Sequence, residues 1–237
     1  MISEKVTDTF DLVILAGGAA SRLGKTAAQT PKSMLSVSGQ PFLIWQLAEL
    51  ARTGKPRRVF ITVRKGTVHV FKDLANKTNY PIEIIEEDSQ LGTGGAILNA
   101  LKLPGLSDPF IVANGDVLFR MNVPALLASA RTNGAAIATV MVPDASRFGQ
   151  VTVAGDKVVA FHERGMKGSG LINAGLYAFT KPALRGFAGT HSFETDIAPG
   201  LVRQGKLASV PTISAFIDIG TPETLQMADT FVKRFAT

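Results

Sequence analysis

The sequence predicts an α/β fold in which a doubly wound, mostly parallel sheet is covered by helices on both faces. Apolar runs of strand length alternate with segments of helical period, and 46% of the 237 residues are hydrophobic. The runs are almost continuously apolar, as expected for strands that are buried on both sides. A chain of this length fits one domain, so we predict a single unit over residues 1–237.

The alternation is clearest in the first part of the chain. Helices are predicted between the strands, the first with proline in its first turn and the second capped by Thr93 or by the glycines before it. The predicted strands cover 11–16, 59–63, 82–85, 109–113 and 136–142, and the predicted helices cover 41–52, 93–101 and 123–131. Together these elements form a first half over about residues 10–142.

After about residue 142 the extended segments become shorter, which predicts a small mixed β insertion in a second half over about residues 143–237. Helical period then returns, followed by one strand and a last helix. No internal repeat or linker is evident. The predicted strands cover 150–153, 157–161, 172–179 and 207–219, and the predicted helices cover 193–204 and 222–235.

Composition excludes several classes of protein. The chain has no cysteine, which rules out disulfides, thiolate metal sites and cysteine nucleophiles. The first residues lack the apolar core of a secretory signal, and no apolar stretch is long enough to span a membrane, so we expect a cytoplasmic protein without a membrane partner. The net charge of +6 is spread along the chain without interleaved aromatic residues, which disfavours nucleic acid and leaves small polyanions or solubility.

A glycine-rich segment at 15–25 follows the first predicted strand directly. Backbone N–H groups without side chains, followed by cations, are suited to phosphate, and the carboxyl end of the first strand is where doubly wound sheets bind ligands. Ala19 stands where a Walker P-loop needs glycine, and GxGxxG is absent from this segment, so kinases, GTP-hydrolysing switches and NAD enzymes are disfavoured. A strand-to-helix turn with solvated Arg22 and Lys32 is the alternative.

Two distant aspartates follow buried runs, Asp116 in an Asn-Gly-Asp step and Asp218 near the C-terminus. Each alone is typical of a turn or a helix N-cap. Two such carboxylates from different strands can meet at the ligand edge of the sheet and bind one divalent cation.

The glycine-rich segment resembles the signature LAGGxGxRL, followed by PK, of the sugar-phosphate nucleotidyltransferases. The match is carried by Leu15, Ala16, Gly17, Gly18, Arg22, Leu23, Pro31 and Lys32, while Ala20 replaces the usual glycine. Further blocks follow in the family's order: LGTGGAI, NGD, RFG, LINAGLY, SFE and FIDIG. As a set they are closest to the guanylyltransferases of D-glycero-α-D-manno-heptose 1-phosphate, and the mannose 1-phosphate enzymes share much of the set.

This resemblance implies a Rossmann-like nucleotidyltransferase fold and a role for each matching residue. Asp116 and Asp218 hold the catalytic Mg²⁺, Arg22 holds the departing pyrophosphate and Lys32 stabilises the α-phosphoryl region. Nucleotide binding falls to Leu15, Ala16, Gly17, Gly18, Glu87, Gly92 and Thr93, and sugar-phosphate binding to Gly149, Glu163, Arg164 and Asn173. Arg164 stands where lysine is usual, and Lys167 is an alternative to it.

The residue type at position 87 favours GTP. Guanine presents N1–H and N2–H donors on one edge, which a carboxylate accepts, whereas uracil and thymine suit a glutamine. An acidic, solvated turn before a helix is the alternative interpretation of residues 86–91. Asn173 and Glu163 singly could also do no more than close turns.

The implied reaction transfers GMP from GTP to a sugar 1-phosphate, with Mg²⁺, by in-line displacement of pyrophosphate. Its partners are these two substrates, and its product is a GDP-sugar for capsule or lipopolysaccharide synthesis. A mannose-1-phosphate guanylyltransferase, a uridylyltransferase for an amino sugar phosphate and a noncatalytic regulatory subunit stay open, as does a homo-oligomer.

Overall fold

The computed structural model describes residues 9–18, 30–162, 165, 167–189, 192–213 and 215–235. Arg22, Glu163 and Arg164 therefore lie outside the described residues. Within these ranges the fold is a nine-stranded sheet with helices on both faces, which confirms the predicted α/β class. No helix among the described residues has both the length and the apolar character needed to cross a membrane.

The strands of the large sheet are β1 Phe10–Leu15, β4 Pro56–Arg64, β5 Ile82–Glu87, β6 Phe110–Asn114, β8 Ala135–Val142, β9 Gln150–Ala154, β10 Lys157–His162, β11 Gly170–Phe179 and β12 Leu207–Pro211. Their order across the sheet is β5-β4-β1-β6-β11-β8-β12-β10-β9. β10 and β11 run against the direction of the other strands. The mixed segment predicted after residue 142 is continuous with this sheet, because β11 lies at its centre and β9 and β10 form its far edge.

Two further pairs of very short strands lie outside the large sheet. β2 (Ser36–Val37) pairs with β3 (Gln40–Pro41), and β7 (Val117–Leu118) pairs with β13 (Ile217–Asp218), both antiparallel. The α-helices are α1 Phe42–Thr53, α2 Gly92–Ala100, α3 Val123–Asn133, α4 Ala198–Arg203 and α5 Pro222–Phe235. 3-10 helices cover Lys32–Met34, Val68–Lys77 and Lys181–Leu184, and a π-helical turn covers Phe193–Ile197.

Alternation along the strands divides the core between the two faces of the sheet. Leu12 and Ile14 of β1 pack on one face with α1 and α3, whereas Val13 packs on the other with α2 and α4. A third cluster joins Ala228 and Val232 of α5 to the short ladder of β7 and β13. This cluster anchors the segment that carries Asp218.

Two local predictions are wrong. Thr93 does not cap α2, since the helix begins at Gly92 after Leu91 and has no side-chain cap. The single strand predicted over 207–219 is two strands, because β12 ends at Pro211 and pairing resumes in β13. Proline has no N–H to donate, so it is a natural end for a sheet ladder.

Candidate active site

A cleft of about 480 Å³ opens at the carboxyl edge of the sheet. β5, β1 and β6 reach it with their C-terminal ends, and β11, which runs the other way, reaches it with residues 173–175 in its middle. The strand order therefore sets the order of the wall, from Glu87 through the glycine-rich segment to Asp116 and Asn173.

The structure brings the described residues of the predicted site together in this one cleft. Lys167 is exposed and is not among the lining residues. The predicted residues that line the cleft are Leu15, Ala16, Gly17, Gly18, Lys32, Glu87, Gly92, Thr93, Asp116, Gly149, Asn173 and Asp218.

The ladder of β7 and β13 places the two aspartates on neighbouring segments of the chain. Asp218 pairs with Val117, and the Ile219 N–H donates to the Asp116 carbonyl at 3.0 Å. Each carboxylate also accepts from a cation: Lys32 Nζ donates to Asp116 Oδ2 at 3.0 Å, and Arg147 Nη2 donates to Asp218 Oδ1 at 2.6 Å.

Electrostatics couples the two carboxylates. Burial raises the pKa of Asp218, and the negative charge of Asp116 raises it further. The Gly220 N–H, Arg147 and Lys32 oppose this shift in the pKa of Asp218. A pair of like charges in a partly buried site is a place where added positive charge stabilises the protein.

The donor set fits a magnesium ion that arrives with a phosphate substrate. Mg²⁺ is commonly held by one or two carboxylates, with phosphate oxygens and waters as its other ligands. Asp116 and Asp218 supply two hard oxygen donors on one wall of the cleft. Among the described residues no group of three or more His, Cys, Asp or Glu side chains is arranged to hold a metal, so an all-protein metal cage is not formed there.

At the β5 side of the cleft, Glu87 faces the glycine-rich segment. A Cβ built on Gly17 would lie 3.5 Å from Glu87 Oε2, so the segment's backbone approaches the carboxylate closely. Glu87 Oε1 is buried and has no hydrogen-bond partner in the described part of the chain. Burial raises the pKa of Glu87, and a hydrogen bond with the Thr62 side chain opposes that shift. A buried acceptor without a donor favours a ligand that brings N–H groups.

On the opposite side, Asn173 lies at an irregularity in the pairing of β11. Its Oδ1 accepts the Gly175 N–H at 3.1 Å, and its Nδ2 donates to the Tyr177 hydroxyl at 3.0 Å. The pairing of β11 with β8 shifts register between Asn173 and Tyr177. Gly175 has φ +80°, and a Cβ there would lie 2.7 Å from Asn114 Nδ2, so both conformation and space require glycine.

Three charged residues of the cleft had no role in the prediction: Arg64, Arg147 and Glu194. Arg147 ion-pairs with Asp218, and a Cβ on Gly149 would lie 3.1 Å from Glu194 Oε1. Arg147 and Glu194 belong to the matched blocks RFG and SFE, whereas Arg64 ends β4 outside any matched block. For Arg147 and Glu194, the signal in the sequence is a neighbouring residue that matches the family's blocks. Only the fold shows that these two residues line the cleft.

Residues 12–234 match the nucleotidyl transferase family, and the chain belongs to that family. The resemblance to sugar-phosphate nucleotidyltransferases is thereby confirmed. The chain is similar to mannose-1-phosphate guanylyltransferase of Mycobacterium tuberculosis, with 35% identity over 92% of this chain and 63% of the relative. It is also similar to D-glycero-alpha-D-manno-heptose 1-phosphate guanylyltransferase of Campylobacter jejuni, with 32% identity over 89% of this chain and 95% of the relative.

A solved structure has the same fold. HddC from Yersinia pseudotuberculosis, complexed with GMP-PN, superposes with a TM-score of 0.80 and 31% identity over 94% of this chain and 99% of that chain. The fold and the sequence thus place the chain in the nucleotidyl transferase family, among relatives that are sugar-1-phosphate guanylyltransferases.

Proposed function

We propose that this chain transfers GMP from GTP to a sugar 1-phosphate and releases pyrophosphate. One observation carries the proposal: a single cleft contains the buried, unpartnered Oε1 of Glu87 and, further along the strand order, the coupled carboxylates of Asp116 and Asp218. The absence of a partner for Oε1 refers to the described residues. The names of the mycobacterial and Campylobacter relatives, both guanylyltransferases, support the same reaction.

The nucleotide occupies the side of the cleft that is formed by β1, β5 and α2. Glu87 accepts hydrogen bonds from N1–H and N2–H of guanine. Both bonds are charge-assisted, and they give the partly buried carboxylate two donors. Gly17 and Gly18 offer backbone without side chains to the phosphates, and Gly92 and Thr93 begin α2, where N–H groups are free. Leu15 and Ala16 complete this wall.

Asp116 and Asp218 would hold Mg²⁺ together with the phosphates of the nucleotide. A bound Mg²⁺ supplies charge neutralisation where two polyanions must approach one another. Lys32, beside Asp116, stabilises the α-phosphoryl group, and Arg22 holds the departing pyrophosphate.

The acceptor lies along β11 and the loop that follows β8. Gly149 and Asn173 line this part of the cleft, and Glu163 and Arg164 complete the binding of the sugar phosphate. Arg147, which lies two residues before Gly149 and faces the cleft, adds a cation on this side.

The chemistry needs no general base. An oxygen of the sugar phosphate is already ionised near neutral pH, since the second pKa of a phosphate monoester is about 6. This oxygen forms a bond to the α-phosphorus of GTP while the bond from that phosphorus to the bridging oxygen of pyrophosphate breaks. The residues of the cleft contribute positioning and positive charge.

D-glycero-α-D-manno-heptose 1-phosphate is the first acceptor we propose, and mannose 1-phosphate is the second. The motif set and the relative with 95% coverage support the heptose. The mycobacterial relative, at 35% identity, supports mannose. The two sugars share the manno configuration and differ at C6, where the heptose carries one more hydroxylated carbon. We place the reaction in the cytoplasm.

Pyrophosphate release tests the proposal directly. The protein is assayed with Mg²⁺ across GTP, ATP, UTP, CTP and dTTP, each against heptose, mannose, glucose and N-acetylglucosamine 1-phosphates. We expect the highest rate with GTP and the manno-heptose phosphate, whereas a maximum with GTP and mannose would keep the reaction and change the sugar. A maximum with UTP, or no release from folded protein, would contradict guanylyl transfer.

A further inference from the structure

Three polar side chains form a stripe on one face of α1: Gln46, Glu49 and Thr53. Their spacing of three and four residues places them one above another on the helix. All three contact a single stretch of chain, residues 114–123, which contains Asp116. Gln46 is only 4% exposed, so its contacts lie inside the protein, whereas Thr53 at the end of the helix is exposed.

Gln46 binds the backbone on both sides of the catalytic aspartate. Its Nε2 donates to the carbonyl of Asn114 at 2.7 Å and to the carbonyl of Val117 at 2.8 Å. A side-chain amide has two N–H donors, and here each is matched to one carbonyl. Two carbonyl acceptors leave no choice over which end of the amide faces them.

The other members of the stripe hold the stretch further from the site. Glu49 Oε2 accepts from Arg120 Nε at 3.3 Å, and Thr53 Oγ1 donates to the Met121 carbonyl at 2.6 Å. The Val123 N–H donates to Thr53 Oγ1 at 3.3 Å. These contacts fasten the same stretch without touching the residues next to Asp116.

The backbone at Asp116 is also held from its other sides. The Gly115 N–H donates to the Leu15 carbonyl at 3.0 Å, and the Asp116 carbonyl accepts from Ile219 N–H at 3.0 Å. Leu15 at the end of β1 and Ile219 just after β13 therefore fix the middle of the turn, while Gln46 fixes both of its ends. The carboxylate of Asp116 itself faces the cleft, where Lys32 binds it.

We propose that Gln46 is a positioning residue for the transfer reaction, because it holds the turn that presents the Asp116 carboxylate. This inference rests on the proposed function, in which Asp116 is a metal ligand. A displacement of a reacting group by about 1 Å can lower a rate by about 10²-fold. Releasing both ends of the turn is therefore expected to displace the Asp116 carboxylate and to lower the rate.

The test compares Gln46→Met with Thr53→Val. Each substitution keeps the approximate size of the side chain and removes hydrogen bonds from α1 to the same stretch, but Thr53 lies at the end away from Asp116. For Gln46→Met we expect kcat to fall by about tenfold to 10²-fold and the Mg²⁺ concentration for half-maximal rate to rise. We also expect faster amide hydrogen exchange at residues 115–118. For Thr53→Val we expect kcat within about twofold of wild type and unchanged exchange at 115–118, whatever the loss in Tm.

A double-mutant cycle with Asp116→Asn separates positioning from general damage. If Gln46 acts through Asp116, Gln46→Met has little further effect on kcat once Asp116 is asparagine. Full additivity, or equal losses of kcat in Gln46→Met and Thr53→Val, would overturn the proposal. If Gln46→Met does not fold, Gln46→Asn keeps the amide but shortens its reach, and the same outcomes apply.

Failure of the proposed function is distinguishable. A wild-type protein that is inactive with every nucleotide contradicts guanylyl transfer. Hydrogen exchange needs no substrate, so unchanged exchange at 115–118 in Gln46→Met would overturn the role of Gln46 in either case.

Discussion

The two sides of the cleft are built by different means. On the side proposed for the nucleotide, β5, β4, β1 and β6 pair in parallel, and the site residues come where these strands end. On the side proposed for the acceptor, Asn173 lies in a register shift of β11, and the nearby Asp218 lies on a strand of two residues. Sheet topology therefore places the first set of site residues, whereas local irregularities place the second.

The two aspartates also differ in how deeply their side chains are buried. Asp116 has a side chain that is 27% exposed and is paired with Lys32, and Asp218 is 15% exposed and is paired with Arg147. Asp218 is therefore the more buried carboxylate of the pair. If the two sides act as one site, substitutions on either side should impair the same reaction.

The largest expected effect follows from removing either carboxylate. Asp116→Ala and Asp218→Ala should each lower kcat by about 10²-fold or more, because each removes a preorganised charged group from the transition state. Pyrophosphate release measures this, with Asp156→Ala, at an exposed turn between β9 and β10, as the control. Full activity in either variant would mean that the two sides do not form one metal site.

Gly175→Ala should damage the acceptor side by strain. The alanine must keep φ +80° and would place Cβ 2.7 Å from Asn114 Nδ2, so we expect a loss of about 2 to 3 kcal/mol in the free energy of unfolding. Gly155→Ala is the matched control, since Gly155 has φ +61° with open space around it and should lose about 1 kcal/mol. Urea denaturation compares them, and equal losses would show that the close approach to Asn114 is unimportant.

Glu87→Gln should change the choice of nucleotide. An amide offers only one acceptor to the two guanine donors, so kcat/KM for GTP should fall by about tenfold relative to that for UTP. Glu86→Gln removes the same charge one residue earlier, from an exposed side chain, and should leave that ratio unchanged. An unaltered nucleotide profile in Glu87→Gln would remove Glu87 as the residue that recognises the base.

The smallest expected effect is a pH-dependent gain in stability for Asp218→Asn. Because the pKa of Asp218 is raised in the folded protein, the protonated acid favours folding, and this contribution is lost as pH rises through that pKa. Relative to wild type, Asp218→Asn should therefore become more stable as pH rises from below the unfolded pKa towards neutrality. Tm measured across pH tests the sign, with Asp156→Asn as control, and a gain that shrinks with rising pH would contradict it.

The sequence was informative where regular structure places a residue. Asp116 could be predicted because a buried strand ends just before it, and the parallel strands could be predicted from their apolar runs. The two-residue strands β7 and β13 show no periodicity, and no sequence pattern shows that they pair. Gln46 and Arg147 could not be assigned either, since which face of a helix or loop meets a distant segment is decided by tertiary packing.

Isotopic labelling of GTP shows directly whether the sugar phosphate attacks the α-phosphorus. The protein is given Mg²⁺, a manno-configured sugar 1-phosphate and GTP labelled with ³²P at either the α or the γ position. We predict that the α label appears in a GDP-sugar and the γ label in pyrophosphate, and that Asp116→Ala and Asp218→Ala suppress both transfers. A γ label recovered as orthophosphate, with no labelled GDP-sugar, would contradict guanylyl transfer.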